Sequence, residues 1–199
     1  PYTSQIYAVY QAMNYMGDRN KKGVILQVST GEGKSFIVQA LAEQLARQKK
    51  NVVHIATSNI ILAARDFEKS YKYFKECENR KSKFIKYNIK YPSILIHENE
   101  YDYVKKFIET NDDIKNDTEM IKAFYSEKSF KNKTNMNISV CKNDTVESNI
   151  IFSTFLNFEA YYLYQKEKDP YCDVDLQNCY LIIDEADTIL IDEITNGTI

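Results

Sequence analysis

Residues 28–35, Val-Ser-Thr-Gly-Glu-Gly-Lys-Ser, hold the densest chemistry in the chain. Gly31 and Gly33 carry no Cβ, so the backbone there can curl closely around an anion. Lys34 follows as a point charge suited to the β- and γ-phosphates of a nucleotide, and the Ser35 hydroxyl suits Mg²⁺. The strict Walker A spacing has a further Gly five residues before Gly33, and Val28 stands there instead. A second acidic constellation lies far along the chain at Asp184-Glu185-Ala186-Asp187. Asp184 is placed to hold Mg²⁺ opposite Ser35, and Glu185 to orient and deprotonate the attacking water. Two carboxylates are needed because the metal ligand must stay bound while another group handles the proton.

The elements that must carry these residues can be read from apolar patterning. Gly23-Val24-Ile25-Leu26 suits a buried strand, and Phe36 to Ala46 repeats apolar residues at helical spacing. Strand, glycine turn and helix start, in that order, make a phosphate loop whose helix N-terminus favours negative charge. Val52 to Ala56 reads as a second buried strand, Thr57-Ser58-Asn59 as helix N-cap chemistry, and 60–74 as a helix. Residues 6–16 read as an opening helix and 93–97 as a strand, with helical pieces at 101–109 and 120–125. Lys128 to Asn143, dense in Lys and Asn, reads as an exposed or disordered loop. Ile150 to Ser153 reads as a strand, Phe155 to Tyr164 as a helix, and Tyr180 to Ile183 as the last strand.

Strands alternating with helices imply parallel strands, helices on both faces and right-handed crossovers. Ligands in such sheets sit at the carboxyl ends of the strands. The phosphate loop and the Asp184 cluster each follow a strand, so both are expected at one sheet edge.

Composition bounds the rest. At 199 residues, the chain fits one sizeable domain, and 44% hydrophobic with 27% charged residues is ordinary for a globular protein. A net charge of -2 supplies no general attraction to nucleic acid. No apolar run approaches the ~20 residues of a membrane helix. The four cysteines form no Cys-x-x-Cys pair and read as reduced thiols of a cytosol-like compartment. His54, in a strand, reads as a hydrogen-bonded core residue, and the Tyr161-Tyr162-Leu163-Tyr164 stretch as a helix face packed on the sheet rather than a base-stacking platform. The chain opens on Pro1 and stops inside a motif at Ile199, and so reads as a piece of a longer protein.

These motifs resemble the first motor domain of the SecA preprotein translocase ATPase. Thr30-Gly31-Glu32-Gly33-Lys34-Ser35 is similar to that family's phosphate loop, including the Glu between the glycines. Leu62-Ala63-Ala64-Arg65-Asp66 is similar to its Leu-Ala-x-Arg-Asp element, and Asp184 through Glu193 to its Asp-Glu-Val-Asp-Ser-Ile-Leu-Ile-Asp-Glu. Ser153-Thr154 sits where the family has Gly-Thr. The opening Pro1-Tyr2-Thr3-Ser4-Gln5 resembles the segment whose Gln reads the adenine edge, with Gln11 as a rival to Gln5.

The resemblance implies a RecA-like P-loop NTPase fold, a three-layer α/β sandwich with a mostly parallel sheet and helices on both faces. It implies a single SecA DEAD-like lobe over 1–199, with a poorly matching insert at about 76–150. ATP and Mg²⁺ are the implied cofactors, with Gln5 and residues 30–35 around the nucleotide, Ser35 and Asp184 on the metal, and Lys34 and Glu185 catalytic. The implied partners are a second RecA-like lobe of the same protein, whose arginines complete the ATP site, a polypeptide substrate and a membrane translocation machinery. The implied location is cytoplasmic, peripheral to a membrane. Arg65 and Asp66 either couple nucleotide state to the partner lobe or form a surface ion pair. Two other functions stand beside the motor: a DEAD-box-like helicase lobe, against which the charge and the Ile-Leu-Ile-Asp-Glu continuation argue, and a nucleotide-sensing regulatory module without transport activity.

Overall fold

The computed structural model describes residues 2–16, 23–29, 31–47, 52–79, 92–118, 127–131, 137–141, 149–168 and 179–188. Helix α1 (Thr3–Met16) comes first, then α2 (Lys34–Ala46), β1 (Val52–Thr57) and α3 (Ile60–Asn79). Strand β2 (Ser93–His97) leads through a 3₁₀ turn into α4 (Tyr101–Thr110). The hairpin strands β3 (Glu127–Lys131) and β4 (Asn137–Cys141) precede β5 (Ile150–Thr154), α5 (Phe155–Lys168) and β6 (Cys179–Ile183).

The six strands form one sheet in the order β3-β4-β2-β5-β1-β6. Strands β2, β5, β1 and β6 are parallel, with Ile55 opposite Phe152 on one side and Ile182 on the other. Every residue of β5 is buried, as expected where both faces of a parallel strand are covered. Alternation then sorts the side chains. Ile150 and Phe152 join Val53, Ile55 and Ile182 in the main core with Leu41 and Leu45 of α2 and Ala63 and Phe67 of α3. Ile151 and Leu95 point the other way, to Ala160 and Tyr161 of α5. Helices therefore cover both faces, and the architecture is a RecA-like α/β sandwich. Asn59 caps α3 as its residue type predicts, Oδ1 accepting from the Leu62 N–H at 3.0 Å.

Two expectations are corrected. Residues 23–29 are irregular rather than a strand, and Ile25 is 98% exposed. Apolar content makes a segment fit for a sheet, but a strand exists only where a neighbour completes its ladder, and none of the described residues pairs here. The stretch 128–143 is not a featureless loop: β3 and β4 pair antiparallel, Phe130 opposite Ile138 and Lys128 opposite Val140, and β4 continues onto β2. A hairpin at a sheet margin tolerates the Lys and Asn density that otherwise signals disorder. The helical piece expected at 120–125 lies outside the described residues.

Candidate functional site

The carboxyl ends of β1, β5 and β6 and the start of α2 converge on one rim. Gly31 and Gly33 both adopt left-handed backbone, φ 88° and 76°, conformations open to glycine without Cβ strain. Gly33 is the residue before the first turn of α2, and its carbonyl accepts from the Phe36 and Ile37 N–H groups at 3.0 and 3.3 Å. Helix α2 thus begins at Lys34 itself, with its amino end facing the loop.

Gln5 reaches this loop from α1. Its Nε2 donates to the Glu32 carbonyl at 2.9 Å, and its Oε1 accepts from the Tyr2 N–H at 3.0 Å. A Cβ on Gly33 would stand 2.2 Å from Gln5 Nε2, so the glycine is also what admits the glutamine. Gln11, by contrast, bonds within its own helix, Nε2 donating to the Tyr7 hydroxyl at 2.6 Å. Of the two candidates, Gln5 is the one against the phosphate loop. Thr30 lies outside the described residues, while Glu32 and Ser35 are exposed at the loop and the first turn.

Lys34 and Asp184, 150 positions apart in sequence, meet: Nζ lies 3.1 Å from Oδ1. The Asp184 carboxyl is nearly buried and the lysine half-exposed. Asp184 is set by the end of β1, its N–H donating to the Ala56 carbonyl at 2.9 Å, while its Oδ1 accepts from the Glu185 N–H at 3.0 Å. Glu185 is the one non-glycine residue with positive φ, 57°, among those described. Such a backbone costs about 1–2 kcal/mol and persists where neighbours over-determine it. The neighbours are visible: Asp184 Oδ1 on its N–H, the Thr188 N–H on its carbonyl at 3.0 Å, and the Ser58 hydroxyl donating to Oε2 at 2.8 Å.

Arg65 approaches the same acidic pair from α3. Its Nε and Nη2 donate to the two Asp66 oxygens at 2.9 and 3.2 Å. The Asp66 hydrogen bonds raise the guanidinium pKa most; partial burial opposes them, and the charges of Asp66, Asp184 and Glu185 each add a smaller upward push. The pair is therefore a fork-to-fork ion pair that also lies in the field of the Asp184 cluster.

Neighbouring strand ends are tied by polar contacts. The Thr154 hydroxyl accepts from the Asn157 N–H at 3.2 Å, and Asn157 Nδ2 donates to Glu100 Oε2 at 2.6 Å. Behind the sheet, His54 is buried edge-to-face against Phe158 at 4.9 Å, with Tyr161 at 6.0 Å. Its Nδ1 finds no hydrogen-bond partner among the described residues, contrary to the expected hydrogen-bonded histidine. Burial alone pushes its pKa down to about 4. Cys179 is a free, partly buried thiol whose pKa burial pushes up, consistent with an unreactive cysteine.

Sequence reasoning assigned Ser58 only to helix capping. The available signal was its position: a hydroxyl one residue past the carboxyl end of β1, on the strand that β6 pairs with before Asp184.

Comparison with known proteins adds one finding. No curated protein and no solved structure matches the chain. Residues 1–91 match the family model of the SecA DEAD-like domain. That range holds Gln5, the phosphate loop, β1 and α3 but neither Glu185 nor Asp184, and the place of Asp184 beside Lys34 rests on geometry alone. Over its first 91 residues, this chain is similar to the SecA DEAD-like domain, and the match supports a SecA-like, ATP-binding first motor domain.

Proposed function

We propose that the chain is the ATP-binding first lobe of a SecA-like motor ATPase, a single lobe over 1–199 that couples ATP hydrolysis to movement of polypeptide. The observation that carries this reading is the 3.1 Å contact between Lys34 and Asp184. A phosphate-binding lysine and a metal-holding aspartate must lie within reach of one triphosphate, and here they touch. Gly31 supports it further: among the described residues nothing lies within 4 Å of where its Cβ would be, which leaves the loop open to them on that side.

In this reading, the backbone of 30–35 and Lys34 hold the phosphates, and Gln5 reads the adenine edge with one donor and one acceptor. The Ser35 hydroxyl and the Asp184 carboxylate offer the hard oxygen donors that Mg²⁺ takes alongside phosphate and water. When bound, that ion neutralises charge building on the phosphates. Glu185 orients the attacking water and accepts its proton. A second RecA-like lobe supplies the cations that complete the transition-state clamp, so the isolated lobe turns over slowly. Arg65, paired with Asp66 yet within the field of Asp184 and Glu185, is placed to report nucleotide state along α3 to that lobe. Among the described residues, no helix is long and apolar enough to cross a membrane, and the reading places the domain in the cytoplasm, peripheral to a translocation machinery.

The test is Glu185→Gln in a form of the protein that includes both lobes. The variant should bind Mg²⁺-ATP at wild-type affinity and lose turnover by at least a hundredfold. Wild-type turnover should rise with unfolded polypeptide and not with RNA or DNA. Persisting turnover in the variant refutes the base assignment, and stimulation by nucleic acid moves the protein to the helicase reading. Binding without turnover in the wild type makes it a nucleotide sensor.

A further inference from the structure

We infer that Ser58 is a positioning residue for the water-activating carboxylate of Glu185, an inference that rests on the ATPase reading above. The Ser58 hydroxyl donates to Glu185 Oε2 at 2.8 Å across 127 positions of sequence. One oxygen of the carboxylate is thereby fixed and the other left to meet a water. Glutamate has three side-chain torsions, and a base that must meet a water in one geometry gains from having them restricted before substrate arrives.

The support for Ser58 is itself rigid. Thr57, buried beside it, donates its hydroxyl to the Asn59 carbonyl at 3.0 Å. Asn59 Oδ1 holds the Leu62 N–H, which fixes the first turn of α3. On the other side of the contact, the Ala56 carbonyl holds the Asp184 N–H. The end of β1 therefore grips residues 184 and 185 twice, by backbone at Ala56 and by side chain at Ser58. Together these contacts maintain the left-handed backbone of Glu185.

A competing partner for Glu185 stands close by. Arg65 lies in the field of both Asp184 and Glu185, and a guanidinium would draw the carboxylate toward itself. Two of its donors, on Nε and Nη2, are engaged by the two Asp66 oxygens. Ser58 and Asp66 thus act in the same direction: one holds the carboxylate, and the other keeps the rival cation engaged.

The experiment compares wild type with Ser58→Ala, Ser58→Thr, Ser58→Val and Glu185→Gln, each in the form of the protein that includes both lobes, by single-turnover hydrolysis at saturating Mg²⁺-ATP. Affinity for a fluorescent ATP analogue and thermal midpoint are measured alongside. Ser58→Ala should lower the hydrolysis rate about tenfold with affinity unchanged and the midpoint lowered by no more than ~2–4 °C. Ser58→Thr should restore the rate and Ser58→Val, its near-isostere without the hydroxyl, should not, which separates the hydrogen bond from any effect of shape or folding. A Ser58→Ala rate equal to or above wild type, while Glu185→Gln is inactive, overturns this inference and leaves the ATPase reading standing. A Glu185→Gln rate equal to wild type overturns both.

Discussion

Lys34→Ala separates two roles that one contact combines. In the free protein, the ammonium sits 3.1 Å from Asp184 Oδ1 with 43% of its side chain exposed, so solvent screening limits the pair to about 1 kcal/mol. Asp184 keeps the Glu185 N–H on the same oxygen after the lysine is removed, so the carboxylate is not left without a partner. The thermal midpoint should therefore fall by only ~2–4 °C for a domain of this size. Nucleotide binding loses more. A charge-assisted contact between ammonium and phosphate contributes up to about 3 kcal/mol, from which the ~1 kcal/mol of the broken aspartate pair must be subtracted. The remaining ~2 kcal/mol corresponds to a roughly thirtyfold rise in Kd. Titration with a fluorescent ATP analogue in Mg²⁺, paired with a thermal scan, reads both numbers. A Kd within twofold of wild type would refute the placement of Lys34 at the phosphates. A midpoint drop beyond about 10 °C would show the lysine to be a structural residue instead.

Two other perturbations follow from the same geometry. Gly33→Ala should destabilise by about 2 kcal/mol, from a left-handed backbone at φ 76° and loss of the Gln5 contact with Glu32. Gly31→Ala meets nothing within 4 Å and should cost about half as much, so urea unfolding that ranks the two in the opposite order contradicts the account. His54 titrates near 4 in the fold against 6.5 in the unfolded chain, so the unfolded state takes the proton first as pH falls. Its contribution is complete above pH 6.5 and lost by pH 4, a loss of about 3 kcal/mol across that window. His54→Leu should flatten the slope of unfolding free energy between pH 7 and 4, and an unchanged slope would assign acid sensitivity elsewhere.

The sequence was readable where one interaction dominates. Strands β1, β2, β5 and most of β6 are short apolar runs because a parallel sheet covered on both faces admits little else. The loop was readable because only glycine takes φ values such as those at Gly31 and Gly33 freely, and because the start of α2 at Lys34 fixes where it points. What failed depended on distant partners. Val24, Ile25 and Leu26 have the composition of a strand, but composition does not supply a neighbouring ladder. Phe130, Ile138 and Val140 alternate as strand residues do, yet among lysines and asparagines that signal is visible only once β2 offers β4 its edge. Spacing could not choose between Gln5 and Gln11, since both lie on α1; the packing of that helix beside α2 sets Gln5 against Glu32 and Gly33. The burial of His54 could be read from its strand, but the missing partner of its Nδ1 could not, because it reflects which aromatic side chains α5 happens to lay over it.

The Lys34–Asp184 pair also sets an electrostatic condition on binding. In the free protein, the two charges neutralise each other. On the proposed reading, ATP claims the lysine and leaves a carboxylate only 9% exposed facing several phosphate charges of the same sign. That arrangement is unfavourable in a poorly solvated site unless Asp184 gains a cation in exchange. Metal and nucleotide should therefore bind cooperatively, with Asp184 as the residue that links them. Asp184→Asn removes the charge while keeping the shape, so its effect should change sign with the metal. Without Mg²⁺, the variant should bind ATP more tightly than wild type, and with Mg²⁺ more weakly, each by about tenfold. Titrations in EDTA and in excess Mg²⁺ read the two arms. If Asp184→Asn weakens binding equally in both, the carboxylate serves the loop's structure and not the metal, and metal and nucleotide are not coupled through it.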